Sequence, residues 1–238
     1  MPEIEHTGVM HKFGKNTDVD SAAAETVWDG GGIYSYLAAA EIHSLASVGD
    51  DAGDDVATGT GARTVTIIGL DANWDEQRET VTMTGATPVL TTSKFIRIFR
   101  MYVATAGSGG ANAGLISATA AVTESVTAAI SIGFNQTLMA VYSIPRNFSG
   151  HLASYYASVN KKTSASADII LRIRKFGGVL QTKHAIGVAT TGTGYFDHIF
   201  QEPMYIPEKS DIEIQADVST DNVDVSGGFC VFLNDLPG

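Results

Sequence analysis

Short segments in which apolar and polar residues alternate recur along much of the chain. Residues 211–218 alternate without a break, with apolar side chains on one face and acidic or amide side chains on the other. Residues 64–70 and 79–84 repeat the pattern on either side of a polar turn, as the two strands of a β-hairpin do. The sequence contains no convincing amphipathic helix. We therefore expect an all-β protein.

The pattern divides the chain into three parts. Residues 1–47 scatter apolar side chains among polar ones without a period of 2 or 3.6, so we expect an extended N-terminal arm that needs a partner surface. Residues 48–123 are predicted to form a small β-sandwich. The alanine-rich stretch 118–129 lies at its junction with the next part and is predicted to be two short strands or a linker. Residues 124–238 are predicted to form a jelly-roll-like β-sandwich.

Six apolar or aromatic side chains are the expected anchors of this arm. Covering such side chains with a partner surface removes apolar area from water, at roughly 25 cal/mol per Å². The predicted anchors are Val9, Met10, Phe13, Trp28, Ile33 and Tyr34.

The composition is that of a globular protein with an acidic surface. The chain has 238 residues, of which 44% are hydrophobic and 17% are charged, and its net charge is −11. Because the sequence has no stripe of Lys and Arg, we expect no direct binding to nucleic acid. No apolar run approaches the length of a membrane span, so no membrane partner is expected. We expect the chain to fold in a cytoplasm.

A glycine-rich stretch, TAGSGGANAGLIS at residues 105–117, follows a predicted strand. Dinucleotide-binding loops carry G-x-G-x-x-G at the start of a helix. Gly107 and Gly109 fit this motif, but Asn112 occupies the third glycine position, and the residues that follow favour β-structure. Without a helix N-terminus, the loop has no set of free backbone N–H groups that point together at a phosphate. We predict a hairpin loop and no bound cofactor.

Two acidic loops are candidate calcium ligands. Calcium takes six to eight oxygen ligands, but neither loop has the spacing of a known calcium motif, so solvated acidic turns are the favoured interpretation and calcium binding stays an alternative. The loops contain Asp50, Asp51, Asp54 and Asp55, and Asp217, Asp221 and Asp224.

His184 and His198 are predicted to face each other across the hairpin at residues 190–194. No Cys or His-x-His motif accompanies them, so we predict no metal site. Cys230 lies in an apolar run and is expected to be a buried small hydrophobe. The sequence contains no G-x-S-x-G motif, and we predict no catalytic residues. Distant paired carboxylates, as in a glycan depolymerase, stay an alternative.

The basic side chains Arg172, Arg174 and Lys175 are concentrated on one predicted strand. A solvated outer face is one interpretation. The alternative is an electrostatic contact with an acidic neighbour, including the Asp-rich loops of another copy of the chain.

Several segments resemble a widespread family of tailed-bacteriophage virion structural proteins. These segments include VMHKFGKN, VWDGGG, GTGARTVTIIGLDANWDEQRETVTMTGATPV, KFIRIFRMYVATAGSGGANAGLISATA, NQTLMAVYSIP, KKTSASADIILRIRKFGGVLQTKHAIGV and PMYIPEKSDIEIQA. The resemblance spans nearly the whole chain and consists of turns and strand cores. It implies a non-enzymatic, β-rich, oligomeric component of the particle, on the head surface or at the tail.

From this resemblance we expect a capsid decoration or cement protein in the virion. It would form a homotrimer, contact the major capsid protein or other virion proteins, and bridge capsomers. The alternative is a tail fibre or receptor-binding protein that contacts host surface glycans through the loops at residues 190–194 and 220–228. Tyr195 and Phe196 are the aromatic residues that favour this alternative.

Overall fold

The structure is a computed structural model that describes residues 8–49 and 53–236. Over these residues the chain forms sixteen β-strands and no α-helix, and every strand pairing is antiparallel. The predicted all-β fold is confirmed. Within the same residues no helix has the length and apolar character to cross a membrane.

The strands range from two-residue pairings to long edge strands. In chain order they are β1 (Gly8–Val19), β2 (Glu25–Thr26), β3 (His43–Val48), β4 (Ala62–Leu70), β5 (Glu76–Thr82), β6 (Val89–Leu90), β7 (Arg97–Ala106), β8 (Leu115–Ala120), β9 (Val126–Ile130), β10 (Val141–Ser143), β11 (Phe148–Asn160), β12 (Ala165–Arg174), β13 (Gln181–Thr190), β14 (Thr193–Ile206), β15 (Asp211–Val218) and β16 (Val223–Asp235).

The chain folds into two compact units, and the first is discontinuous in sequence. It combines Met1–Ile33 with Ala140–Gly238, as far as these ranges are described. One sheet has the strand order β1-β16-β11-β14, and the other has the order β10-β15-β12-β13 with β2 also paired to β15. The inward side chains of both sheets are buried, among them Tyr142, Tyr155, Ile214 and Phe229.

The second unit is Tyr34–Met139. Its sheets have the orders β6-β3-β8-β9 and β5-β4-β7. The hairpin predicted at residues 64–84 is confirmed as the β4–β5 pair. The core of this unit is built from the inward residues of both sheets, including Leu45, Ile67, Met83, Phe95, Met101, Ile116 and Ile130.

This division differs from the predicted parts at residues 1–47, 48–123 and 124–238. For residues 8–33 the prediction of an arm is wrong, because β1 pairs with β16 through ten register positions and completes the first unit. Residues 124–139 belong to the second unit, because β9 pairs with β8. The sequence of β1 has no apolar pattern that would predict its pairing with β16, because its inward face carries Lys12, Gly14 and Asn16 in place of apolar side chains.

Candidate interaction surfaces

The glycine-rich stretch joins β7 to β8 and is held by a buried carboxylate of the same chain. Asp54 is 0% exposed. Its Oδ1 accepts hydrogen bonds from the N–H groups of Ala62 at 2.6 Å and Ala113 at 2.8 Å. Its Oδ2 accepts from the N–H of Gly114 at 2.8 Å and the hydroxyl of Ser47 at 2.7 Å. The loop's N–H groups at residues 113 and 114 therefore already hold an anion, which the protein itself supplies.

Two glycines around Asp54 are required by close approach. A Cβ on Gly61 would lie 2.3 Å from the Asp54 Oδ1, and a Cβ on Gly107 would lie 2.6 Å from the carbonyl oxygen of Gly59. Both distances are shorter than a carbon–oxygen contact allows, so these positions exclude a side chain. The glycines serve the packing of two loops against one carboxylate.

The acidic loops are less exposed and more fully bonded than predicted. The expectation of a solvated turn is wrong for Asp54, while Asp50 and Asp51 lie outside the described residues. Asp221 accepts hydrogen bonds from the hydroxyl and N–H of Ser21, which lower the pKa of its carboxyl. Asp224 pairs with Lys15 at 3.1 Å. Among described residues, no three His, Cys, Asp or Glu side chains converge on a common metal position.

The six predicted arm anchors divide into three groups. Trp28 and Tyr34 are buried within their own chain, where the Trp28 indole donates to the Gly32 carbonyl at 3.1 Å and the Tyr34 hydroxyl donates to the Ile98 carbonyl at 3.1 Å. The expectation that they anchor a free arm is therefore wrong. The half-buried residues are Met10 and Phe13, and the exposed ones are Val9 and Ile33.

Arg172 and Arg174, which belong to the predicted basic cluster, hydrogen-bond to side chains of their own sheet. The Arg174 Nε donates to the Asp211 Oδ2 at 2.9 Å, and the Arg172 Nη1 donates to the Gln215 Oε1 at 2.8 Å. Asp211 is the register partner of Arg174 on β15. Lys175 is exposed at the end of β12. Both arginines thus have an acid or amide partner within their own chain, while the buried Nε of Arg172 has no hydrogen-bond partner among the described residues. Contact with an acidic neighbour stays a prediction.

His184 and His198 face each other as predicted, but the predicted hairpin between them is not formed, because β13 pairs with β12 in one sheet and β14 pairs with β11 in the other. Their rings stack with centroids 4.6 Å apart and planes at 26°. The Tyr155 hydroxyl hydrogen-bonds the His184 Nδ1, and burial raises the pKa of Tyr155 to about 12. Burial, and then the charge of His198, lower the pKa of His184. Phe200 contacts His198 edge-on, with ring centroids 4.6 Å apart.

A broad apolar surface covers the side of the β1-β16-β11-β14 sheet that faces away from the core. We call it the outer face and define it by four rows of register partners across the strands. The rows are Lys15-Ser226-Ser158-Tyr195, Phe13-Gly228-Tyr156-Asp197, His11-Cys230-Ser154-Ile199 and Val9-Phe232-His151-Tyr205.

Aromatic and aliphatic side chains on the outer face are exposed, with Tyr195 at 66% and Ile199 at 71%. Cys230 is half-buried on this face, whereas the sequence predicts that it is buried. Its partial burial raises the pKa of the thiol. The alternation in β14 is the sequence feature from which this face could be predicted. Because β14 carries bulky residues on both sides, the sequence alone does not show which side is outward.

Two turns carry exposed apolar side chains at their tips, one on each unit. In the second unit Ile132 and Phe134 flank Gly133, which has a φ of 79°. In the first unit Phe176 and Val179 flank a turn in which Gly177 has a φ of 73°. All four apolar side chains are more than half exposed. We call these turns the Ile132 tip (residues 132–134) and the Phe176 tip (residues 176–179).

No family model matches the chain, and no curated protein matches it.

Proposed function

We propose that this protein is a non-enzymatic structural component of a tailed-phage virion, a decoration or cement protein that bridges neighbouring capsid proteins on the head. The resemblance of its strand cores and turns to virion structural proteins supports this proposal. The folded N-terminal segment cannot serve as the bridging arm, since it completes its own unit. The bridging contacts must come from the folded surface.

The observation that carries the proposal is the pair of apolar tips. Turn tips are ordinarily polar, and exposed apolar groups that stand together mark contact sites. Fully covering one Phe, Ile or Val side chain contributes roughly 1.5–3 kcal/mol. One tip on each unit gives the chain two separate apolar contacts, and a protein that links two neighbours needs at least two.

The strand order of the first unit supports its description as a jelly roll. Counting the eight strands of its two four-stranded paths in chain order, one sheet reads 1-8-3-6 and the other 2-7-4-5. Strands adjacent in sequence thus fall in opposite sheets, except at the fourth and fifth. Eight strands in two sheets of this kind form the double Greek key common in capsid domains.

Particle incorporation tests the proposal. One variant carries I132S and F134S, and a second carries F176S and V179S, each produced during phage assembly with the wild-type gene absent. Both are expected to fold, since the changed side chains lie outside the core, and to be depleted from purified particles. L90S, which also removes an exposed apolar side chain, is the matched control. Incorporation of both tip variants at the control level would refute the proposal.

A second candidate is a receptor-binding protein that contacts host glycans. The observation in its favour is the exposure of Tyr195 and Tyr156 on neighbouring strands. Phe196 points to the opposite side of β14, and the loop predicted at residues 220–228 ends at Asn222, because β16 begins at Val223. Binding of the purified protein to a glycan array, lost in Y195S, would favour this candidate over the first.

A further inference from the structure

We propose that the outer face is a self-association surface that pairs two copies of this chain around a two-fold axis parallel to the strands. The inference stands on the residues of that face and does not depend on the proposed virion function.

Among the described residues of its own unit, the outer face has no covering layer. A β-sandwich buries one side of each sheet, and an exposed outer side is ordinarily polar. Here the exposed positions include Val9, Tyr156, Tyr195, Ile199 and Tyr205, which lie on three of the four strands. Large apolar side chains exposed together on one face mark a contact with another macromolecule.

The outer face combines aromatic rings with small side chains. The Tyr156 ring lies over Gly228 of the adjacent strand, where an added Cβ would fall 2.6 Å from the tyrosine hydroxyl. Ser154, Ser158 and Ser226 occupy the positions between the bulky residues. Rings that alternate with small side chains suit packing against a second sheet, at the spacing of about 10 Å usual for stacked sheets.

Charge identifies the second sheet as another copy of this chain. The protein has a net charge of −11, which keeps copies apart over most orientations. Among the sixteen residues of the four rows, Lys15 and Asp197 are the formally charged ones when His is counted as neutral, and Lys15 also pairs with Asp224 of its own chain at 3.1 Å. This face therefore allows two like-charged molecules to approach, and tyrosine is enriched at such contacts.

The positions of the two charges fix the axis. Lys15 lies on β1 and Asp197 on β14, at opposite edges of the sheet and one row apart. Rotation about an axis parallel to the strands places β1 of one copy over β14 of the other and keeps the rows aligned. Lys15, which also pairs with Asp224 of its own chain, then faces Tyr195 of the second copy and lies one row from its Asp197, while Val9 faces Tyr205 of that copy. An axis across the strands would place Lys15 over Val9 and leave the charges apart.

The area is sufficient for a reversible dimer. Four strands about 4.8 Å apart and four rows about 6.8 Å apart cover roughly 500 Å² per copy. Two copies bury about 1,000 Å², which is below the roughly 1,200–2,000 Å² of stable interfaces and in the range of weak, transient ones. We expect a dimer that forms and dissociates with concentration.

The test is sedimentation of the full chain over a range of concentrations. Wild type is expected to pass from monomer to dimer. I199D introduces a charge at a position 71% exposed in the free chain and is expected to raise the dissociation constant at least tenfold. V122D makes the same kind of change at a residue 81% exposed in the other unit and is expected to leave the dissociation constant unchanged. Circular dichroism checks folding, and Y195S replaces I199D if that variant does not fold.

The charge pair tests the axis. K15E and D197K are each expected to weaken the dimer, and the double variant is expected to recover most of the loss. A wild-type chain that stays monomeric, forms trimers or binds glycans without dimerising would overturn the inference. So would equal dissociation constants for I199D and V122D, or a double variant weaker than both single ones.

Discussion

The carboxylate of Asp54 accepts a hydrogen bond from the N–H of Gly114 at 2.8 Å, joining two loops that are sixty residues apart in sequence. Three further donors bind the same carboxylate. A single buried acid therefore fixes both loops and takes the place that a bound anion would occupy in a nucleotide-binding loop.

The first prediction concerns that carboxylate. In D54N the amide NH₂ would face donors in place of an acceptor oxygen, leaving buried N–H groups without partners. Each lost hydrogen bond to a charged group costs about 1.5–3 kcal/mol, so we expect the free energy of unfolding to fall by about 3 kcal/mol or more. Urea unfolding measures this. D55N is the control, since among described residues Asp55 accepts hydrogen bonds from the N–H groups of its own turn at Ala57 and Thr58; equal effects of the two variants would contradict the prediction.

The second prediction concerns Arg97, whose guanidinium lies between two aromatic rings. It is 4.9 Å from the Trp74 ring centroid and 5.1 Å from that of Tyr36, and its Nη1 donates to the carbonyl of Leu37 at 2.7 Å. Lysine keeps the charge but cannot stack as a plane or donate in a fork. We expect R97K to lower the free energy of unfolding by about 2 kcal/mol. A loss below about 0.5 kcal/mol would show that charge alone matters at this position.

The third prediction is a loss of stability as the pH falls from 6.5 towards 5. Burial lowers the folded pKa of His184 and of His43 below the ordinary value of 6.5. The unfolded chain then binds more protons than the folded chain, so stability is present above pH 6.5 and is lost below it. Although burial acts to raise the pKa of Glu41 and Glu79, hydrogen bonds from backbone N–H groups lower it, and these glutamates lose their contribution only below about pH 4.5.

Thermal unfolding between pH 5 and pH 7.5 checks this dependence. H184N and H43N are each expected to show a smaller difference in Tm between the two pH values than wild type does. Y102F, which changes no group that titrates in this range, should keep the wild-type difference. An unchanged difference in both histidine variants would contradict the assignment.

The fourth prediction separates a folded N-terminal segment from an arm. Deleting residues 1–20 removes β1, exposes the edge of β16 and uncovers part of the first unit's core. We expect the truncated chain to aggregate or to lose cooperative unfolding of that unit. A truncated chain that is soluble and as stable as the full chain would contradict this prediction and support the interpretation of the segment as an arm.

The sequence predicted the elements whose local pattern agrees with their environment. The alternation at residues 64–70 and 79–84 correctly predicts the hairpin β4–β5. β15 alternates in the sequence, but its polar residues Asp211, Glu213 and Gln215 are buried together with its apolar ones. The facing of His184 and His198 is also predicted, although β13 and β14 belong to different sheets. These features depend on residues that are close in the chain.

Features that depend on distant pairing could not be predicted from local pattern. β1 pairs with β16 more than two hundred residues away, and the buried side of β1 carries Lys12 and Asn16, so no apolar period marks it. Asp54 appeared to belong to a solvated acidic loop because its four donors come from separate parts of the chain. The outer face was missed since the bulk on both sides of β14 leaves its orientation undecided without the register to β11.

Electron cryomicroscopy of the assembled phage tests the virion proposal most directly. We expect density for this chain on the head, at the seams between capsid proteins, with the Ile132 tip and the Phe176 tip each against a neighbouring protein. Particles without density for this chain, or a bound chain whose two tips both point into solvent, would contradict it.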